Sequence, residues 1–167
     1  MYELIRYGAD FDLNCGPRPD WDTFFLEQAI TYSGRANCTR RKVGAVITKD
    51  NQLIAAGYNG SPPGEPGCLT DGACPRGLHY PESGDGFLEV VCGTCSTAWP
   101  CRKSAPPGEG YDSPGGACTA VHAELNAIIR AGYDRCAGAT MYITDEPCWN
   151  CSLAIRAARI SRVVIPR

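Results

Sequence analysis

The sequence predicts an α/β sandwich, because helical and extended segments alternate on either side of a long region that is poor in apolar residues. A helix and a two-stranded hairpin come before that region, and a helix–strand–helix–strand series comes after it. Such a series favours a mixed sheet whose later strands run parallel through right-handed crossovers. The length of 167 residues is that of one domain, and we expect residues 1–167 to form it.

The opening helix is predicted over residues 20–34. Its apolar residues recur every three or four positions, Asp20 is a capping residue, and Gly34 ends the pattern. Two strand-like runs follow at 43–48 and 53–58. A polar four-residue turn separates them, so we expect an antiparallel hairpin.

The C-terminal part of the sandwich is predicted from four short patterns. Residues 122–131 have helical periodicity that stops at Gly132, and residues 140–144 are predicted as a strand. Residues 148–160 are predicted as a further helix and residues 162–165 as the last strand. The two strands should be parallel, because a helix connects them.

Residues 60–117 form an insertion of different composition. It holds most of the 19 glycines and 13 prolines of the chain, while its apolar residues are few and scattered. Such a segment cannot order itself by burying apolar surface. We therefore expect it either to be disordered or to be held in place by something other than a hydrophobic core. Five cysteines within it could hold it in place as metal ligands: Cys68, Cys74, Cys92, Cys95 and Cys101.

The overall charge favours a small substrate. Lys and Arg number 16 against 18 Asp and Glu, whereas binding along a nucleic acid normally needs a basic surface, so a long nucleic acid is not the expected partner. Residues 1–15 do not have the apolar core of a signal peptide, and no apolar run reaches about 20 residues, so we expect no membrane association and a cytoplasmic location. In that reducing compartment, 11 cysteines favour metal binding over disulfides.

Two short motifs carry the chemistry. One is H-A-E at 122–124 and the other is P-C-W-N-C at 147–151. Together they match the H-x-E and P-C-x-x-C signature of zinc-dependent nucleobase deaminases. His122, Cys148 and Cys151 would give zinc three protein ligands and leave its fourth tetrahedral position open to water. Zinc in such a site lowers the pKa of water from about 15.7 to about 7, which supplies hydroxide at neutral pH.

Glu124 is the predicted proton shuttle of this site. It would take a proton from the water, deliver it to the ring nitrogen and help to protonate the departing ammonia. A lone C-x-x-C could instead be half of a structural zinc site or a redox pair, and the chain could be a non-catalytic zinc-binding module. A purely structural site has no use for Glu124, so its presence favours catalysis.

Beyond these motifs, the chain resembles the deoxycytidylate deaminases of the zinc-dependent cytidine deaminase superfamily. Five segments carry the resemblance: R-P-D-W-D at 18–22, C-T-R-R-K-V-G-A-V-I at 38–47, G-Y-N-G-S-P at 57–62, H-A-E-L-N-A-I at 122–128 and A-T-M-Y-I-T at 139–144. It implies a three-layer α/β/α cytidine deaminase-like sandwich with a mixed sheet, and hydrolytic deamination of dCMP to dUMP. Deamination of another nucleotide, a nucleoside or a free base stays the alternative. We also expect a homo-oligomer.

The resemblance further implies substrate contacts. Asn59 would lie at the substrate, and Arg40 and Ser61 are candidates for contacting its 5′-phosphate. Two features depart from the family pattern near the pocket. The insertion is longer than in typical members, and the dipeptide Asp145–Glu146 is more like that of other deaminase branches.

A second, structural zinc is also implied, because some family members carry one. Four cysteines are the candidate ligands: Cys38, Cys68, Cys74 and Cys118. A further zinc knuckle could use Cys92, Cys95 and Cys101 with His79, and in an alternative pairing Cys74 joins Cys92, Cys95 and Cys101. Thiolates suit zinc, and a closed site of this kind would staple the insertion.

Overall fold

The computed structural model describes residues 2–7, 18–38, 41–70, 81–83, 90–93, 96, 118 and 120–167. In chain order, its strands and helices are β1 (Glu3–Tyr7), α1 (Trp21–Ser33), β2 (Gly44–Lys49), β3 (Gln52–Tyr58), β4 (Pro81–Ser83), β5 (Val90–Cys92), α2 (Ala123–Ala131), α3 (Tyr133–Cys136), β6 (Thr140–Ile143), α4 (Trp149–Ala157) and β7 (Arg162–Pro166). None of the described helices is long and apolar enough to cross a membrane.

The chain divides into two compact units. The first comprises residues 1–37, 41–60 and 121–167, and the second comprises residues 38–40 and 61–120. The second unit therefore contains almost all of the predicted insertion. That residues 1–167 behave as a single domain stays a prediction.

The first unit is built on a five-stranded mixed sheet with the order β1-β7-β6-β2-β3. β2 and β3 form the predicted antiparallel hairpin, and β2 also runs antiparallel to β6. β6 and β7 are parallel and bring Thr140 opposite Arg162. β1 lies on the other side of β7, also parallel, with Glu3 opposite Arg162. The predicted mixed sheet with parallel later strands is therefore confirmed.

Helix α1 covers one face of this sheet. The Asp20 carboxylate caps the helix by accepting a hydrogen bond from the Thr23 N–H at 2.9 Å. Gly44 allows a close approach, since a Cβ there would lie 2.0 Å from the Ala29 carbonyl oxygen. The buried side chains of this face belong to α1 and to three of the strands: Phe25, Leu26, Ala29, Val46, Tyr142 and Val164.

Helices α2 and α4 cover the opposite face, which completes three layers. The buried residues of α2 are mostly alanines, so its backbone lies close to the sheet. Gly57 of β3 makes this possible, because a Cβ there would lie 2.3 Å from the carbonyl oxygen of Ala123 and 2.5 Å from the backbone nitrogen of Ala127. The core on this side includes residues of both helices and of three strands: Ala45, Ile47, Ala123, Ala127, Met141, Ile143, Ile155, Val163 and Ile165. The three-layer α/β/α prediction is confirmed.

The sequence patterns miss β1, α3, β4 and β5. β1 has the sequence E-L-I-R-Y, which shows no alternation of polar and apolar residues, and α3 is a single turn. β4 and β5 are three residues each and pair antiparallel within the second unit. The last predicted helix is also shorter than expected. α4 ends at Ala157, and Arg159 beyond it takes a positive φ of 56° that a helix cannot contain.

Candidate active site

The two motifs meet at the starts of α2 and α4. His122 is the residue just before α2, and Cys148 has the equivalent position before α4; both have extended backbones. Nδ1 of His122 lies 3.6 Å from Sγ of Cys148 and 3.3 Å from Sγ of Cys151. In the part of the chain that the structure describes, these residues form the one cluster of three or more His, Cys, Asp or Glu whose ligand atoms all lie within 4.8 Å of one another.

The spacing of these atoms fits a tetrahedral zinc ion. With Zn–N and Zn–S bonds of about 2.0 and 2.3 Å, a ligating nitrogen and a ligating sulfur lie about 3.5 Å apart. The two measured separations of 3.3 and 3.6 Å lie on either side of that value. One imidazole nitrogen and two sulfurs are donors that zinc prefers, and three protein ligands are typical of a catalytic site.

The first turn of α4 holds the two sulfurs together. The backbone N–H of Cys151 donates to Sγ of Cys148 across 3.5 Å. Burial raises the pKa of the Cys151 thiol, and the negative charges of Glu124 and Cys148 act in the same direction. A helix N-terminus alone would have the opposite effect and favour the thiolate. A cation bound by the two sulfurs would likewise favour the thiolate form.

Glu124 lies beside this cluster without belonging to it. It is in the first turn of α2 and only 4% exposed. Burial raises the pKa of its carboxyl, and the charge of Asp145 also raises it. Hydrogen bonds from its own backbone N–H and from the Cys151 thiol, together with the charge of His122, oppose this rise. The carboxyl group is thus held next to the predicted ligands, where a proton carrier is needed.

The start of α2 is linked to the end of β3 by hydrogen bonds. Gly60 and Val121 exchange two backbone bonds of 3.2 and 2.9 Å. Nδ2 of Asn126 donates to the carbonyl oxygen of Tyr58 at 2.8 Å and lies 3.4 Å from that of Val121. These contacts join the segment that leads into the H-A-E motif to the end of β3.

Asn59 follows β3 and is 5% exposed. Its Oδ1 accepts a hydrogen bond from the Val43 N–H at 2.8 Å, and its Nδ2 donates to the carbonyl oxygen of Arg41 at 2.9 Å. The side chain therefore holds the segment that leads into β2. The substrate contact predicted for Asn59 stays a prediction.

Residues 19–166 match the family described as the cytidine and deoxycytidylate deaminase zinc-binding region. This chain belongs to that family. It is 40% identical over 151 residues to the deoxycytidylate deaminase of Mycobacterium phage D29, which covers 90% of this chain and 97% of the phage protein. It is 34% identical over 148 residues to the deoxycytidylate deaminase of Schizosaccharomyces pombe. That match covers 88% of this chain but 37% of the yeast protein, so the chain spans little more than a third of this longer relative.

A solved structure has the same fold as this deaminase. The dCMP deaminase from the cyanophage S-TIM5, in complex with dCMP and dUMP, superposes with a TM-score of 0.54 and 22% sequence identity. The match covers 90% of this chain and 83% of the cyanophage chain. The predicted cytidine deaminase-like fold is therefore confirmed.

Other residues predicted for the site do not belong to the cluster of His122, Cys148 and Cys151. Ser61 is half-buried and belongs to the second unit, as do the buried Cys38 and Cys68 and the half-buried Cys118. In the described part of the chain, these three cysteines do not form a cluster whose sulfurs all lie within 4.8 Å of one another. Further predicted site residues lie outside the described residues: Arg40, Cys74, His79, Cys95 and Cys101. The second zinc site stays a prediction.

Two charged residues near this cluster are not among the residues that the sequence predicts for the site. Arg41, which precedes β2, forms an ion pair with Asp145, which follows β6. Oδ1 of Asp145 also accepts a hydrogen bond from the Glu146 N–H at 2.9 Å. The Asp–Glu dipeptide before Pro147 is the sequence signal for this feature. The pairing with Arg41 depends on tertiary contact, which no local pattern reveals.

Proposed function

We propose that this deaminase converts dCMP to dUMP by hydrolysis. The observation that carries the proposal is the cluster of His122, Cys148 and Cys151 with the buried carboxyl of Glu124 beside it. An identity of 40% to a phage deoxycytidylate deaminase, over nearly all of both chains, supports dCMP as the substrate.

In this proposal, the chain's own residues hold the metal and move the protons. His122, Cys148 and Cys151 are the ligands. When bound, zinc supplies a Lewis acid that makes water acidic enough to react near neutral pH. The Glu124 carboxylate accepts a proton from the attacking water, passes it to the ring nitrogen and then assists protonation of the amino group. One water is consumed, one ammonia leaves, and a ring carbon exchanges its amino group for oxygen.

Asn59, Ser61 and Arg40 are the proposed substrate contacts. The Asn59 amide has a second N–H beyond the bond that it donates to Arg41, and this group is available in chemical terms to an oxygen of the nucleotide. Ser61 and Arg40 offer a hydroxyl and a guanidinium, both of which bind phosphate oxygens well.

A substrate panel tests the proposal. Purified protein is assayed for ammonia release from dCMP, CMP, deoxycytidine, cytosine and guanine, with Glu124→Gln as the control for contaminating activity. We expect kcat/KM for dCMP to exceed that for deoxycytidine by at least about 100-fold, because a polar site built for a phosphate is left unmatched without it. Equal or faster turnover of a nucleoside or free base would contradict dCMP as the substrate.

We also propose a structural zinc held by Cys38, Cys68, Cys74 and Cys118 in the second unit. The burial of Cys38 and Cys68 supports this proposal, because a closed thiolate site is normally shielded from water. Such a site contributes to folding and not to chemistry.

Metal analysis distinguishes the two zinc sites. We expect two zinc ions per wild-type chain and one per chain in Cys68→Ser. The variant should have a lower Tm and should retain the zinc bound by His122, Cys148 and Cys151. Cys136→Ser is the matched control, since Cys136 is a buried cysteine of the first unit and should not change the zinc content. One zinc per wild-type chain would contradict the second site.

A homo-oligomer acting in the cytoplasm is the remaining proposal. Three large apolar side chains of α2 and α4 are exposed and support an interface between copies: Ile129, Trp149 and Leu153. Light scattering after gel filtration is expected to give a mass above that of one 17.9 kDa chain. A monomer with full activity would contradict the oligomer.

A further inference from the structure

Strand β3 is the last strand on its side of the five-stranded sheet. A strand in that position presents a row of backbone carbonyls that no neighbouring strand can pair. Side chains of the following two helices donate to this row. The three hydrogen bonds run from Asn126 to Tyr58 (2.8 Å), from Arg130 to Ala56 (2.9 Å) and from Arg135 to Ile54 (3.4 Å). We call Asn126, Arg130 and Arg135 the edge ladder.

The edge ladder follows from two periodicities. Its acceptors are two residues apart in β3, so their carbonyls face the same edge of the sheet. Asn126 and Arg130 are four residues apart in α2, so they lie on the same face of that helix. The helix therefore runs along the strand edge with its polar donors in register with the free carbonyls.

Asn126 differs from the two arginines in its surroundings. Arg130 and Arg135 are exposed, so water competes for their bonds, whereas Asn126 is half-buried. Its Nδ2 lies between the carbonyl oxygens of Tyr58 and Val121, at 2.8 and 3.4 Å, which fixes the nitrogen and not the oxygen of the amide at that place. Tyr58 immediately precedes Asn59, and Val121 immediately precedes His122.

The packing of small residues is only part of what determines where α2 lies along the direction of β3. The closest approach between them is that of Gly57 to the backbone around Ala123 and Ala127. These residues have small side chains, so directional bonds matter more for the position of the helix than they would between large interlocking side chains. The hydrogen bond from Asn126 to Tyr58 adds such a directional restraint to the two backbone bonds between Gly60 and Val121.

We propose that Asn126 is a positioning residue, which sets the place of His122 and Glu124 relative to the end of β3. It acts through the backbone and touches neither metal nor substrate. The proposal rests on the deaminase function proposed above, because the effect on chemistry is exerted through Glu124. Removing the donor should allow α2 to shift by a fraction of its 1.5 Å rise per residue, and so misplace the carboxyl group.

Asn126→Asp tests the proposal, because it keeps the shape of the side chain and replaces the donor by an acceptor. Asn126→Ala removes the donor without adding charge and serves as a second variant if the first does not fold. We expect kcat on dCMP to fall between about 10-fold and 100-fold, as misplacements of this size do, with KM changed less than about 3-fold. Zinc content should equal that of the wild type.

Arg130→Gln is the matched control, since it removes another member of the edge ladder on the same helix. We expect it to lower Tm and to leave kcat within about 2-fold of the wild type. Asn126 variants that lower Tm while keeping wild-type kcat would overturn the proposal, and so would a loss of activity that follows a loss of zinc. Wild-type protein that is inactive with full zinc content would refute the deaminase function instead, which separates the two failures.

Discussion

The substitution Gly57→Ala should lower both the Tm and the kcat of the protein. The added Cβ would lie 2.3 Å from the Ala123 carbonyl oxygen and 2.5 Å from the Ala127 nitrogen, and both of these are backbone atoms that cannot rotate away. An ordinary contact begins near 3.4 Å, so α2 must move away from β3 by about 1 Å. Overpacking of this kind costs about 1–3 kcal/mol, or about 3–10 °C in Tm.

The same displacement carries His122 and Glu124 with it, because they lie at the start of α2. A shift of about 1 Å at a reacting group lowers kcat by up to about 100-fold. Thermal unfolding and ammonia release from dCMP measure the two effects. Gly34→Ala is the control, since Gly34 has an ordinary φ of −60° and an added Cβ there would lie 3.2 Å from its nearest neighbour, the Thr31 carbonyl oxygen. Wild-type Tm and kcat in Gly57→Ala would refute this account of the helix–strand contact.

Two further predictions concern single carboxyl groups. Glu124→Gln should lower kcat at least about 100-fold while metal analysis finds the zinc retained, because proton transfer is lost and the ligands remain. Asp22→Asn should lower the free energy of unfolding by about 1–3 kcal/mol at pH 7, because Asp22 accepts two bonds from Arg162 at 2.7 and 2.6 Å and one from Tyr142 at 2.9 Å. The bond from Arg162 holds the pKa of Asp22 below its usual range. Its contribution is therefore complete above an unfolded-state pKa of about 3.9 and is lost as the pH falls through the lower folded value, so denaturant titrations of the two proteins should converge in acid.

Secondary structure was predictable where the chain carries local signals. Asp20 and Gly34 mark the ends of α1, and the turn between β2 and β3 contains Asp50 and Asn51 with positive φ angles of 52° and 58°. Positive φ at both central residues is the geometry that two-residue hairpin turns favour, and Asp and Asn tolerate it. β1 carries no such signal. It is a strand because β7, at the opposite end of the sequence, offers it a parallel partner.

The zinc cluster was predictable for a different reason. Metal chemistry restricts the ligands to few residue types, and the spacing of Cys148 and Cys151 places both sulfurs at one helix start. The ion pair of Arg41 and Asp145 and the amide of Asn126 obey no such restriction. They are ordinary polar residues whose partners are distant in sequence, so their roles emerge only from the packing of α2 and of the loops against the sheet.

The middle residue of the H-A-E motif shows how packing constrains even a short catalytic signature. The signature is written H-x-E and allows any residue between the histidine and the glutamate. In this chain Ala123 is the first residue of α2 and is fully buried, and its carbonyl oxygen lies close to Gly57. A larger side chain at 123 would overpack this fully buried position, which costs about 1–3 kcal/mol. The absence of a side chain at Gly57 therefore lets the backbone of Ala123 lie against β3, with His122 and Glu124 on either side of it at the start of α2.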